Sequence, residues 1–333
     1  MSDALLAVVF VSAAAVSLAT SWLLVTRLER IGGRIGLSEA LLGMLAALAA
    51  DAPEITASVT ALAGHHARIG AGVVIGSNVF NLAALLGLGA VVAGEIKLHQ
   101  RVILLEGTVA VLIAIVCLGV VLGGAGPGVG LLAALGVLVP YLVVSGVSPK
   151  RLGELGLPRA WAGWLSEAVL EEEQELEPAI HPRRAGALDV SVAGLATAVV
   201  VGASIAMEVT ASKLGTRHHV PEIVIGALVL AGVTSLPNAV SALYLAVRGR
   251  GAATLSIALN SNALNVTVGL LLPGILVGLG APSGQGTLVA AWYLGLTAVA
   301  LVCAYTGRGL RRAHGALIIF GYLAFVAVVL ITS

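Results

Sequence analysis

Apolar positions run in long uninterrupted stretches along this chain, and polar positions fall in short clusters between them. Residues 4 to 26 carry no charged side chain, nor do 223 to 247 or 251 to 307. A run of about 20 apolar residues is enough for a helix to cross the hydrocarbon core of a bilayer. The alternation of runs and breaks predicts ten such helices, over 4–26, 38–63, 69–92, 102–123, 128–146, 189–211, 221–247, 252–277, 286–306 and 314–332. The breaks are RLERIGGR, GHHAR, GEIKLHQR, GGAGPG, KLGTRHHVP, RGRG, GAPSGQG and GRGLRR. One connection is long, 147–188, and it contains LEEEQELEP. The predicted fold is an all-α polytopic membrane protein.

Composition agrees, and charge adds an orientation. Only 11% of residues are charged and 59% are hydrophobic, against roughly 25% charged in a soluble domain. A formal net charge of +1 gives no electrostatic case for nucleic acid. Loops 1–2, 3–4, 5–6, 7–8 and 9–10 hold 15 of the 18 Lys and Arg residues. Such residues mark the cytoplasmic side, so both termini are expected outside and the 147–188 connection in the cytoplasm of a cell-membrane protein. The first run is preceded by Asp3 and by no basic residue, unlike a cleaved signal peptide. Cys117 and Cys303 sit in separate apolar runs and read as small core residues rather than a disulfide.

Within the apolar background lies a repeat. PEITASVTALAGHHARIGAGVVIGSNVFN runs from Pro53 to Asn81, and PNAVSALYLAVRGRGAATLSIALNSNALN from Pro237 to Asn265. Ser77, Asn78 and Asn81 thereby correspond to Ser261, Asn262 and Asn265. Each copy occupies the second and third spans of a half of five, 1–146 and 189–333. Five is odd, so the second half enters the membrane from the opposite side, an inverted repeat of the kind secondary transporters use around a midplane site. Pro53 and Pro237 have no N–H for the carbonyls of Ala49 and Val233, which predicts broken helices with free carbonyls. Those carbonyls join the hydroxyls of Ser77, Thr234, Ser235 and Ser261, the amides of Asn81 and Asn265, and the carboxylates of Asp51 and Glu54. An all-oxygen cluster suits a hard cation such as Ca²⁺ or Na⁺. A bound cation also offsets the roughly 2.5–3.5 kcal/mol that a charge costs at the bilayer centre on insertion scales.

These motifs resemble the calcium/cation antiporter superfamily, which includes the sodium/calcium exchangers. Its two repeats read roughly Gly-Thr-Ser-x-Pro-Glu followed by Gly-Ser-Asn-x-x-Asn or Asp. Here GVTSLPN and NSNALN keep Thr-Ser-x-Pro in the second copy, and ADAPE and GSNVFN keep Pro-Glu and Gly-Ser-Asn in the first; the matching parts cover about 45–90 and 228–270. The resemblance implies two inverted five-helix halves and a cation site of Glu54, Ser77, Asn81, Thr234, Ser235, Ser261 and Asn265, with Asp51, Asn238, Ala47 and Ala231 beside them. Asp51, Glu54, Asn81 and Asn265 would be the principal metal ligands. Asn238 stands where the family has its second glutamate, and Asp51 where it has a serine. Gly72-Val73 and Ser256-Ile257 replace the family's Gly-Asn pair. The implied activity is antiport of Ca²⁺ or a similar divalent cation for Na⁺ by alternating access, without a cofactor, the chain's partners being membrane lipid and inorganic cations. Spans one and six would move against the rest. The alternatives are H⁺ as counter-ion, altered ion selectivity, or a passive cation channel. An intramembrane aspartyl hydrolase would need a second facing aspartate, and Asp3 and Asp189 lie at span ends.

The remaining polar features have plainer expectations. EEEQELE at 171–177 reads as a solvated helix face, and PRAWAGWLSEAVL before it as an interfacial amphipathic helix. His65, His66, His218 and His219 fall in loops on one side, as scattered polar residues or as a transition-metal site. Glu106 and Glu208, near span ends, are expected to be solvated at the interface.

Overall fold

The uncharged runs fold as helices because hydrocarbon offers no partner for backbone N–H and C=O groups, so each segment must satisfy its own. The computed structural model describes residues 1–34, 39–146, 163–165, 167–168 and 186–333. The acidic run 171–177 and nearly all of the long connection lie outside the described residues.

Element order is α1 (Asp3–Arg34), α2 (Glu39–Ala50), α3 (Ala52–Ala63), α4 (Ala67–Ala93), β1 (Glu95–Lys97), α5 (Gln100–Val121) and α6 (Pro127–Gly146). The second half follows with α7 (Ala187–Arg217), α8 (Glu222–Thr234), α9 (Leu236–Val247), α10 (Gly251–Val277), α11 (Gly284–Gly307), β2 (Gly309–Arg311) and α12 (Arg312–Thr332). Eight of these helices are long and apolar enough to span a membrane, and the bent pairs α2–α3 and α8–α9 bring the number to ten. One small ladder joins the helices. The loops after α4 and α11 lie side by side, and β1 pairs antiparallel with β2, Ile96 opposite Leu310. A Cβ at Gly309 would meet the Ile96 carbonyl at 2.3 Å, so only glycine allows that approach.

α1 and α7 are longer than their apolar runs because their charged ends pair with each other. Arg27 and Arg30 reach Asp189 at 2.7 and 3.4 Å at one end of the pair. Arg217 and His218 reach Asp3 at 2.7 and 3.1 Å at the other. The two helices thus run antiparallel, clamped at both ends.

One apolar core is shared by α2, α4, α5, α6, α8, α9, α10, α11 and α12, with Cys117 inside it and Cys303 packed on its edge. Both cysteines are free thiols. α1 and α7 meet the hinge helices through small and large groups together: Ala13, Ala203, Met207 and Ala211 with Ala57 and Ala61, and Leu24, Ala193 and Ala196 with Ala49. The short side chains among them let helices in a membrane approach closely. α4 and α8 cross with their backbones in close contact. A Cβ on Gly76 would lie 2.4 Å from the Ala227 carbonyl oxygen, and one on Gly226 would lie 2.4 Å from that of Ile69.

Candidate cation site

The two hinges are built alike. Asp51 (φ −80°, ψ −5°) and Ser235 (φ −80°, ψ −2°) each form a one-residue joint, followed at the second helical position by Pro53 and Pro237. Proline is tolerated in a first turn, where its missing N–H has no carbonyl to bond. The helices bend by 52° at the first joint and 48° at the second.

The bend differs from an unwound break. Asp51 N–H donates to the Ala47 carbonyl at 2.8 Å and Ser235 N–H to the Ala231 carbonyl at 3.2 Å. A joint of one residue in right-handed helical geometry keeps these helical bonds, so the carbonyls of Ala47 and Ala231, among the candidate ligands, already accept one hydrogen bond each. Each keeps one lone pair, since a carbonyl oxygen has two.

Beside each hinge, the crossing helix carries a π-helical segment. α4 widens over Leu82–Leu88, directly after Asn81, and α10 over Asn265–Leu271. α8 widens over Ile225–Leu230, just before its joint. Single π turns inside α-helices occur frequently at functional sites. Ser58 on α3 donates to the carbonyls of Gly70 and Gly269 at 3.0 and 2.9 Å, the latter within the α10 widening.

α4 and α10 are clasped by four asparagines in a pseudo-twofold pattern. Asn78 Nδ2 donates to the Asn262 carbonyl at 3.0 Å, and Asn262 Nδ2 to the Asn78 carbonyl at 3.1 Å. Asn81 Nδ2 donates to Asn262 Oδ1 at 3.0 Å, and Asn265 Nδ2 to Asn78 Oδ1 at 3.3 Å. The amide N–H groups of Asn81 and Asn265 are consumed in this clasp, so their oxygens face elsewhere.

What remains open is a set of oxygens. Asp51, Glu54, Ser77, Asn81, Ser235 and Asn265 are fully buried and Asn238 nearly so, at 1% exposure. Asp51 Oδ2, both Glu54 carboxylate oxygens, Ser77 Oγ, Ser235 Oγ and the amide oxygens of Asn81, Asn238 and Asn265 have no hydrogen-bond partner. The Ser235 hydroxyl lies beside Glu54 without forming a bond of good geometry. A buried acceptor left unsatisfied costs about 1–3 kcal/mol, more when charged. A hard cation, which takes oxygen ligands in numbers of six to eight for Ca²⁺, satisfies such acceptors together.

The profile described as "Sodium/calcium exchanger protein" matches residues 5–148 and 190–331. The chain belongs to that family. Among curated proteins it is similar to a putative antiporter, CaxA of Alkalimonas amylolytica, 36% identical over 80 residues. That match takes in 24% of this chain and 25% of the relative's length. Among solved structures, the sodium-calcium exchanger NCX_Mj superposes with a TM-score of 0.62 at 20% identity, covering 98% of this chain and 99% of that one. YfkE superposes with 0.65 at 18% identity, covering 98% and 92%. The H⁺/Ca²⁺ exchanger CAX superposes with 0.71 at 13% identity, covering 98% and 86%. At these identities the likeness speaks for the fold, a ten-helix inverted repeat.

Within this exchanger fold, several expected positions take other parts. Ser261 is saturated: its Oγ donates to Asp51 Oδ1 at 2.5 Å and accepts from Asn238 and Asn81 at 3.1 and 3.3 Å. Its repeat partner Ser77 is open, so only one of the two serines can ligate without first releasing bonds. Thr234 Oγ1 donates to the Leu230 carbonyl at 2.9 Å, which ties its proton to its own helix. Asn78 and Asn262 were passed over as site residues, although the Ser-Asn pair that marks each repeat contains them. The buried Tyr293 hydroxyl beside Asn78 has no counterpart in the motifs.

The histidines do not gather. His66 Nδ1 is 3.0 Å from Glu222, while His218 pairs with Asp3. Among the described residues no three His, Cys, Asp or Glu form a metal-binding group. A cation at the hinges would therefore have two carboxylates and otherwise neutral oxygens. Glu106 and Glu208 are buried at 1% and 3% exposure, which corrects the expectation of interfacial solvation. Packing against neighbouring helices, rather than distance from the span end, sets their burial.

Proposed function

We propose that this exchanger-family chain is a secondary active antiporter that moves Ca²⁺ or a similar divalent cation against Na⁺ by alternating access. The observation that carries the reading is the set of unpartnered buried oxygens on Asp51, Glu54, Ser77, Asn81, Ser235, Asn238 and Asn265. They come from both hinges and both crossing helices, so occupancy by an ion ties the halves together. Sodium is favoured because most of the open groups are hydroxyl and amide oxygens, which ligate a monovalent cation but do not take up its proton equivalent.

Protons are the second reading for the counter-ion. Two buried carboxylates close enough to repel each other, Asp51 and Glu54, are suited to exchange a divalent cation for protons, and CAX is similar in fold. The ion pairs that clamp α1 and α7 at both ends as one antiparallel pair support the expectation that this pair moves as a unit over the hinges to open either side. The Lys and Arg distribution supports a cell-membrane orientation with both termini outside and the long connection cytoplasmic.

The test is uptake of radiolabelled Ca²⁺ into proteoliposomes under an outward Na⁺ gradient or an outward H⁺ gradient. Accumulation driven by one gradient alone establishes antiport and names the counter-ion. Flux that follows the Ca²⁺ gradient alone under both conditions means a passive channel, and refutes the antiport reading.

A further inference from the structure

The two repeats contribute acids unequally. The offset of 184 residues that pairs Asn78 with Asn262 also pairs Glu54 with Asn238 and Asp51 with Ser235. Both carboxylates thus belong to the first hinge, yet the Asp51 side chain does not stay with its own repeat. Its Oδ1 accepts from Nδ2 of Asn238 at 2.6 Å and from Oγ of Ser261 at 2.5 Å, both second-half residues. Its Oδ2 is buried and open, as is Oδ1 of Asn238. The carboxylate is held against the residue that occupies Glu54's position in the other repeat.

We propose that Asp51 stands in for the acid the second repeat lacks, so that the site carries two fixed negative charges and exchanges one divalent cation for two monovalent cations without moving net charge. This rests on the antiporter reading above. The site must change its exposure across an apolar interior, where an uncompensated charge costs several kcal/mol. One divalent ion or two monovalent ions neutralise Asp51 and Glu54. The empty site, at minus two, is held back, which obliges exchange. A third monovalent ion would leave a positive charge with no acid to meet it. The other buried acids among the described residues, Glu106 on α5 and Asp189 and Glu208 on α7, lie outside the hinges and their crossing helices, Asp189 being paired with Arg27 and Arg30, and no third acid joins the pair.

The test uses the full chain in proteoliposomes, with K⁺ and valinomycin setting the membrane potential. Radiolabelled Ca²⁺ is driven by a fixed outward gradient of whichever monovalent ion supports exchange, and the steady accumulation ratio is read at zero and at 100 mV. The expected ratio is the same at both potentials within about twofold. One net charge per cycle would shift it about 50-fold per 100 mV, and that result overturns the inference while leaving antiport intact. Absence of gradient-driven exchange overturns the antiporter reading, and this inference with it. A second measurement addresses the stand-in itself. Asp51→Ser should lose exchange, and Asp51→Ser with Asn238→Glu should recover it to within about tenfold with the same indifference to potential. A double variant that elutes as the native protein but stays inactive overturns the assignment to Asp51, and the potential measurement on the native chain decides the charge balance whether or not the variants fold.

Discussion

Replacing Gly76 with alanine tests whether the close crossing of α4 and α8 sets the geometry of the site. The added Cβ would sit 2.4 Å from the Ala227 carbonyl oxygen and 2.5 Å from its Cα, where ordinary contacts begin at 3.4 Å. The obstacle is backbone, not a flexible side chain, so the helices must part by about 1 Å. Overpacking of this kind costs typically 1–3 kcal/mol. The displacement falls on the residue before Ser77 and on the π-helical stretch leading to the Ser235 joint. Ca²⁺ ligands lie at about 2.3–2.6 Å, so a shift of about 1 Å takes Ser77 out of coordination range. Misplacement by that distance costs about 10²-fold in catalytic sites, and a loss of at least tenfold is expected in initial Ca²⁺ uptake. Gly226→Ala, on the other side of the crossing, should do the same, and the pair should be less than additive because one separation relieves both clashes. Gly194→Ala, with open space around its would-be Cβ, is the control. The assay is uptake in proteoliposomes alongside thermal unfolding in detergent. If Gly76→Ala transports and melts like the native chain, the crossing does not control the site and the reasoning fails.

Glu54→Gln should abolish gradient-driven exchange, because it removes one of two charges and two of the open oxygens; unchanged flux in the same vesicles refutes its role as a ligand. Ser77→Ala should leave folding nearly unchanged and weaken Ca²⁺ binding about tenfold, as read by isothermal titration in detergent. Ser261→Ala should instead lower stability by about 1.5–3 kcal/mol, the range for a hydrogen bond to a charged group, in a denaturation series; equal phenotypes for the two serines would refute the asymmetry. Asp189→Asn weakens one end of the α1–α7 clamp. Because that partly exposed pair is worth about 0.2–1 kcal/mol, the effect should be on transport rate rather than on expression or melting.

The architecture was legible because its causes are local. Span length and proline placement act residue by residue, so the ten spans and both joints could be read from order alone. The inverted repeat was legible for the same reason: Pro53, Ser77 and Asn81 recur with fixed spacing at Pro237, Ser261 and Asn265. What could not be read is how equivalent residues divide unequal tasks. Nothing in the pair Ser77 and Ser261 says that one is open and the other saturated; that follows from a carboxylate 210 positions away from Ser261, Asp51, reaching across the centre. Nor did the π-helical segments leave a pattern, since widening a helix by one residue per turn needs no particular side chain, only a neighbour such as Ser58 to meet the displaced carbonyl. Proline alone predicts open carbonyls at Ala49 and Val233, but it says nothing of which side-chain oxygens are left without a partner, because their neighbours come from the other repeat. On the proposed antiport reading, ion selectivity would depend on which acids and amides line the joints, and the placing of both acids at positions 51 and 54 with Asn238 opposite would be the feature whose consequences are largest.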